Sequence, residues 1–307
     1  MQTQQDVKKI IPSDQLKVYR KRSDTESSIR FSIHLTLFIS LFTFLIFYRD
    51  NTALLIVCSI ALGGVWAGFL APFHECIHKT AFKSKALNQY AAWISGILFG
   101  MSPSIYKFLH FQHHRYTHVI NKDPEIWGDG QFTETGATKF KFWLKLLVGK
   151  SLLISKFKQL IIFSFKSYEN RKKSMGWIIE SNDKDYIRES RIILSIWMVF
   201  LTFSFAFFSQ MAFVVLSLVF FHVFCSFWLA TEHFGLPNEG TVIEKTRTIY
   251  TNKIISFFLW NMNYHVEHHL YPDIPWYKLR TINKEIKPHI KNKSNGYIKF
   301  HIKFLTK

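Results

Sequence analysis

Long apolar runs alternate with basic, polar stretches along this chain. Phe31–Tyr48 carries one ionisable residue, His34, and Ala53–Phe73 carries no charge. Ile192–Phe208 and Met211–Thr231 are equally apolar, and only Ser209-Gln210 separates them, which reads as the tip of a helical hairpin. Each run approaches the ~20 residues that cross a hydrocarbon core of ~30 Å as a helix. The pattern predicts four membrane-spanning helices.

Two weaker runs complete the picture. Tyr90–Tyr106 is apolar but short and contains Gly96, Gly100 and Pro103, which predicts a re-entrant or in-plane helix. Phe142–Phe165 contains Lys145, Lys150, Lys156 and Lys158, too many for a lipid-facing span, and predicts an interfacial helix with snorkelling lysines. The fold class expected is all-α, a multi-pass integral membrane protein with a cytoplasmic helical cap. Residues 1–30 form an N-terminal cytoplasmic segment, 31–279 the membrane domain and 280–307 a basic cytoplasmic tail.

Composition agrees with a membrane body. The chain combines 48% hydrophobic residues, 32 of them Phe, with a formal net charge of +18. With four crossings, every Lys and Arg but Arg49 falls on one side, and seven precede the first span. An excess of basic residues marks the cytoplasmic face, so both termini are placed there. Nucleic-acid binding is disfavoured because long uncharged runs separate the basic regions. Cys58, Cys76 and Cys225 form no C-x-x-C pair, which excludes a disulfide scaffold and an iron–sulfur cluster. The N-terminus has no apolar segment of the signal-peptide kind.

Ten of the 14 histidines lie in four short stretches at or beyond the cytoplasmic ends of the predicted spans. His74 and His78 follow the second span, and His233 follows the fourth. His110, His113, His114 and His118 lie in HFQHHRYTH, and His265, His268 and His269 in NYHVEHHLYP. Steps of three and four along a helix bring side chains to one face, so each stretch presents a cluster. Neutral imidazoles suit iron, zinc or copper. One tetrahedral zinc is satisfied by three or four ligands, whereas nine histidines suit two metal ions. An open, dinuclear centre that activates oxygen favours iron.

HECIHKTAF, HFQHH and NMNYHVEHHLYP resemble the three histidine boxes of the membrane fatty acid desaturase and hydroxylase superfamily. Within it, WNMNYHVEHHLYPDIPW, TEHFGLP and the later TRT are most similar to bacterial acyl-lipid desaturases. The resemblance covers roughly Ala53 to Leu279. It implies His74 and His78 as ligands from the first box, His110, His113 and His114 from the second, and His265, His268 and His269 from the third. His233 matches the family's isolated ninth ligand. Animal acyl-CoA desaturases place an asparagine one turn before that histidine, where this chain has Leu229. Glu75, Glu232 and Glu267, each next to a box histidine, and His118 are candidates for orienting the ligand rings. His34 and His222 are expected to be packed or hydrogen-bonded inside the bilayer, and His289 and His301 to be exposed.

The resemblance implies an O2-dependent, diiron acyl-lipid desaturase in the bacterial inner membrane, with two iron ions as cofactor and no catalytic side chain beyond the metal centre. No acid or base side chain removes hydrogens from unactivated methylenes, so such an oxidant is needed. The chain has no G-x-G-x-x-G, no cysteine cluster and no H-P-G-G, which leaves electron delivery to a separate ferredoxin or cytochrome b5-like protein with its reductase. A hydroxylase or ketolase acting on acyl chains or carotenoids is the nearest alternative. A more distant one is an intramembrane zinc peptidase, because HECIH fits H-E-x-x-H, with Asp129 as a third ligand. That reading leaves seven clustered histidines without a role.

Overall fold

The computed structural model describes residues 7–125, 143–144, 146–147, 150–176, 178 and 183–306, most of them helical. In chain order the elements that matter here begin with α1 (Ser13–Tyr19), α2 (Asp24–Phe47), α3 (Thr52–Gly68) and α4 (Leu70–Ile77). Next come α5 (Lys85–Phe99), α6 (Pro103–Tyr116), α7 (Lys150–Phe165), α8 (Asp183–Ala206) and α9 (Phe208–His233). The last are β1 (Thr248–Tyr250), α10 (His265–Leu270), α11 (Trp276–Ile286), β2 (Lys293–Asn295) and α12 (Tyr297–Thr306).

Four stretches are long and apolar enough to cross a membrane: α2, the run Thr52–Ile77 formed by α3 and α4, α8 and α9. Two of them begin well before the apolar runs that announce them. Ser23 accepts the Glu26 N–H, and Asp24 and Glu26 occupy the first turn of α2. Asp183 and Asp185 do the same for α8. Caps and early carboxylates satisfy the free N–H groups and the dipole at a helix start, so helix begins where polarity still prevails. The hairpin between α8 and α9 turns at Phe207, two residues ahead of the expected Ser209-Gln210. At that end Arg49 donates to the carbonyls of Leu45 (2.7 Å) and Tyr48 (2.7 Å), which closes the end of α2, and to Gln210 O of α9 (2.9 Å), which ties the two helices together.

Helices α3 and α9 pack most closely at Gly63. A Cβ there would lie 2.4 Å from the Phe220 Cβ and 2.9 Å from the Ser217 carbonyl. Small residues at such crossings let backbones approach when lipid supplies no hydrophobic drive. His34 donates through Nε2 to the Val65 carbonyl (2.7 Å), and His222 donates through Nδ1 to the Leu218 carbonyl (2.7 Å). Both are hydrogen-bonded packing residues of the spans.

The run Tyr90–Tyr106 is split between two helices. Gly100, at φ 77°, ends α5, and Ser102 with Pro103 starts α6. The last carbonyls of α5 reach into the bundle, where the indole N–H groups of Trp66 and Trp197 donate to Leu98 O and Ile97 O, each at 2.8 Å. Those two donors answer the orphan carbonyls of a helix end in a medium without water. Helix α6 is then pinned by a buried carboxylate. Glu189 of α8 accepts from Ser102 Oγ (2.6 Å), Ser104 N–H (2.8 Å) and Ser104 Oγ (2.8 Å).

Two expectations need correction. Lys156 of α7 does not snorkel: it is 4% exposed, because α7 lies along α8 and brings this side chain against Phe99 and Phe221. Lys158 is exposed, and Lys145 lies outside the described residues. His301 is buried and its Nε2 lies 3.0 Å from the Phe227 carbonyl, since α12 packs on α9; His289 is exposed. Segments within residues 280–306 pack on the rest of the chain. β2 pairs in parallel with β1 (Thr248 opposite Lys293), a small strand pair within the helical architecture. Ile282 and Ile286 share a core with Val7, Ile11 and Leu16 from the N-terminal segment.

Glu189→Ala is expected to lower stability by about 1–3 kcal/mol, the cost of leaving buried donors without an acceptor. The fall shows in the thermal midpoint of the detergent-solubilised protein. An unchanged midpoint would remove Glu189 as the anchor of α6.

Candidate metal centre

The ends of four elements meet on one side of the bundle. α4 ends with His74 on its last turn and His78 as its cap residue, and α9 ends at His233. α6 carries His110, His113 and His114, and α10 carries His265, His268 and His269. The turn before α10 holds Trp260 and Asn261 at φ 47° and 58°. Such values are strained for a residue as bulky as tryptophan and persist where the surroundings fix them. Asn261 Nδ2 donates to Trp276 O (3.1 Å) and Asn263 Nδ2 to Ile249 O (2.9 Å), so the WNMN segment clamps the third histidine stretch to α11 and β1.

All nine histidines come together, in two groups. His74, His78, His110, His114 and His268 form one, and His113, His233, His265 and His269 the other; within each, one nitrogen per ring lies within 4.8 Å of the rest. Each H-x-x-H-H stretch is therefore divided between the groups. Residues four apart share a group (His110 with His114, His265 with His269), while His113 and His268, three residues on from the first of each stretch, join the other one. The groups adjoin where His114 stacks on His269 at 4.2 Å.

The nitrogens face one another. In the first group His110 Nε2 lies 2.8 Å from His78 Nε2 and 2.9 Å from His114 Nε2, which lies 3.0 Å from His268 Nε2. In the second, His113 Nε2 is 3.1 Å from His233 Nε2 and 3.3 Å from His269 Nε2, and His265 Nε2 is 2.8 Å from His233 Nε2. A ring nitrogen carries either a proton or a lone pair, so a web of such contacts has too few protons to join every pair well. Two nitrogens at right angles, each about 2.1 Å from one cation, would stand about 3.0 Å apart, so these separations fit the edges of a coordination shell. His74 adds two buried ring nitrogens with no hydrogen-bond partner among the described residues. The donor set is compatible with metal.

Electrostatics agrees. Burial, reinforced by mutual repulsion, holds the imidazoles of His110, His114, His265, His268 and His269 well below their ordinary value, which keeps them in the neutral, ligating form. At His113 burial also opposes charge, but the carboxylates of Glu125 and Asp123 outweigh it and push the ring up to about 9. Those two carboxylates make the surroundings of His113 favourable to a cation.

The neighbours of the rings are only partly those expected. Glu232 Oε1 lies 3.4 Å from His265 Nδ1, and Glu75 Oε1 3.7 Å from His74 Nδ1. The other Glu75 oxygen accepts from Thr80 Oγ1 (2.8 Å) and Trp276 N–H (3.1 Å), and the residue is fully buried. So placed, it is no free base for a peptidase; Asp129 lies outside the described residues. Glu267 accepts from Thr248 Oγ1 (2.6 Å) and Asn283 Nδ2 instead of meeting a ring nitrogen among the described residues. His118 lies 5.2 Å from the His233 ring, with its Nδ1 3.2 Å from Pro237 O.

Sequence reasoning missed Asp123. Both its oxygens lie 3.0 Å from His113 Nδ1, while the backbone N–H groups of His118 (2.8 Å) and Glu125 (2.9 Å) hold it in place. Accepting Nδ1–H fixes the tautomer that leaves His113 Nε2 for the group. Only the acidic D-P-E turn ten residues after His113 marked it in the sequence. Lys245 O accepts from His233 Nδ1 (2.9 Å), and Arg247 donates to the carbonyls of Thr231 (2.7 Å) and Phe234 (2.9 Å), which closes the end of α9. Beside both groups lies a small cavity, with Leu70, Tyr106, Trp228, Leu229 and Met262 supplying its apolar wall and Glu125 and Glu232 a polar one.

A family model described as Fatty acid desaturase matches residues 51–301. The chain is also similar to the Delta(6)-fatty-acid desaturase fat-3 of Caenorhabditis elegans, at 24% identity over 281 residues covering 82% of this chain. It spans 62% of that relative's length.

Asp123→Ala is expected to weaken metal binding in the group that holds His113 by about 10–100-fold, the usual effect of losing a ring-orienting carboxylate. Asp123→Asn, which keeps an acceptor oxygen, is expected to lose less. Competition with a chelator measures both, and wild-type retention in the alanine variant would contradict the assignment.

Proposed function

We propose that this chain, which belongs to the fatty acid desaturase family, introduces a C=C bond into the acyl chain of a membrane lipid in an O2-dependent reaction. The observation that carries this reading is the convergence of nine histidines, in two groups, beside a small cavity at one end of a membrane bundle. His74, His78, His110, His114 and His268 would hold one iron ion, and His113, His233, His265 and His269 the other. Bound iron supplies, with O2 and two electrons from outside, the oxidising power that takes hydrogens from unactivated methylenes. In the balance, each of two adjacent carbons loses one C–H bond, and O2 leaves as two waters after receiving two donor electrons and two protons.

The protein's own part is placement. Leu70, Trp228, Leu229 and Met262 offer an apolar wall to the acyl segment and keep water from it. Leu229 makes this wall apolar where animal acyl-CoA desaturases have an asparagine. Asp123 and the Lys245 carbonyl orient His113 and His233. The one-sided distribution of Lys and Arg supports a cytoplasmic centre and cytoplasmic termini in a bacterial inner membrane. The same basic face suits an acidic electron donor, a ferredoxin or a cytochrome b5-like protein with its reductase.

Expression in a desaturase-deficient host, followed by mass spectrometry of total lipids, tests the reading. A new double bond is expected, and His268→Ala is expected to abolish it. Hydroxylated lipid in its place would assign the hydroxylase reaction, and an unchanged lipid profile in a host with a working donor would contradict both.

A further inference from the structure

The last helix presents three different faces. At about 100° per residue, Phe300, His301 and Phe304 of α12 fall on one face, and Ile298, Ile302 and Leu305 on a second. Lys299 and Lys303 fall on a third, next to the isoleucines. The first face packs on the rest of the chain. The His301 ring lies 4.6 Å from that of Phe227 and the Phe304 ring 4.5 Å from that of Phe234, while the Arg247 guanidinium stands 4.5 Å over Phe300. The second face is left open: Ile298 is 77%, Ile302 57% and Leu305 38% exposed. Both lysines of the third face are exposed as well.

The depth of α12 follows from α9. Counted from the hairpin turn at Phe207, the ~20 residues that cross a hydrocarbon core end near Phe227. His301 Nε2 lies 3.0 Å from the carbonyl of that residue, so α12 meets α9 where hydrocarbon gives way to headgroups. A helix at that boundary has protein on one side, acyl chains on another, and headgroups with water on the third. The three faces of α12 match those three surroundings. In water the aliphatic stripe would stay hydrated; in the interface it is covered, and lysines beside it extend their ammonium groups to lipid phosphates. A second copy of this chain carries the same +18 charge and would repel these lysines, whereas anionic headgroups complement them.

We propose that α12 is an interfacial helix: the bilayer covers its Ile298, Ile302 and Leu305 stripe, and Lys299 and Lys303 lie at the phosphates of anionic lipids. So seated, the C-terminal helix braces from the membrane surface the last turns of α9, which bear Trp228, Leu229 and His233. The inference rests on α9 as a membrane span and is independent of the reaction catalysed.

The test attaches a fluorescent NBD label to Ile298→Cys, Ile302→Cys or Lys303→Cys, one at a time, in the full-length, metal-loaded protein. Cys76 and Cys225 are buried, and the half-buried Cys58 is replaced by alanine. The protein is placed in nanodiscs of phosphatidylcholine and phosphatidylglycerol. Labels at 298 and 302 are expected to lose emission to nitroxide-bearing lipids and to be shielded from iodide, while the label at 303 stays open to iodide. Doxyl phosphatidylglycerol is expected to quench the label at 302 more than doxyl phosphatidylcholine does, a difference that Lys299→Gln with Lys303→Gln removes. Labels at 298 and 302 that are open to iodide and unaffected by nitroxide would overturn the proposal. Shielding from both quenchers would assign the stripe to a protein partner instead, and a label at 303 that behaves like that at 302 would remove the sidedness. Equal quenching by the two doxyl lipids, or a difference that survives the double variant, would overturn the phosphate contact. None of these outcomes alters the desaturase reading.

Discussion

Nine imidazoles, seven buried and two half-buried, turn their nitrogens toward one another and make a demand that the rest of the molecule answers. Neutral rings at 2.8–3.3 Å have more contacts than protons to fill them, so the arrangement is costly unless cations stand among them. Holding it takes four separate backbone supports. Glu189 fixes α6, Arg247 closes α9, and the strained turn at Trp260 and Asn261 sets α10 against α11. Glu75, between the two histidines of α4, ties that helix to Trp276. Stability is thus invested around the site and not only in the spans.

Much of this was legible in the sequence because membrane helices and histidine spacing both leave local marks. Apolar run length gave four spans, and steps of four gave the pairs His74–His78, His110–His114 and His265–His269. Partition into two groups was not legible. His113 and His114 are neighbours in sequence yet serve different groups, because successive helical residues diverge by about 100° and the crossing of α6 with α10 decides what each ring meets. The helix starts at Asp24 and Asp183 were hidden by a rule that reads apolarity, while caps act in the polar flank. Asp123 was hidden because its partner is ten residues back and the connecting turn has no periodicity. Lys156 and His301 illustrate the same limit: charge predicts exposure, and only packing of α7 on α8 and of α12 on α9 reverses it.

The bundle thus contains polar chemistry at two levels. At its end, a carboxylate and a carbonyl fix the ring orientations of His113 and His233. Deeper, one ammonium and one imidazole face a small cavity behind a wall of aromatic rings. The wall beside the histidines includes the apolar side chains of Leu70, Trp228, Leu229 and Met262.

The proposal that the two histidine groups hold two iron ions carries the desaturase reading. It is tested most directly by the metal content of protein purified from iron-supplemented cells. Two equivalents of iron per chain are predicted. One equivalent of zinc with no iron would contradict the claim.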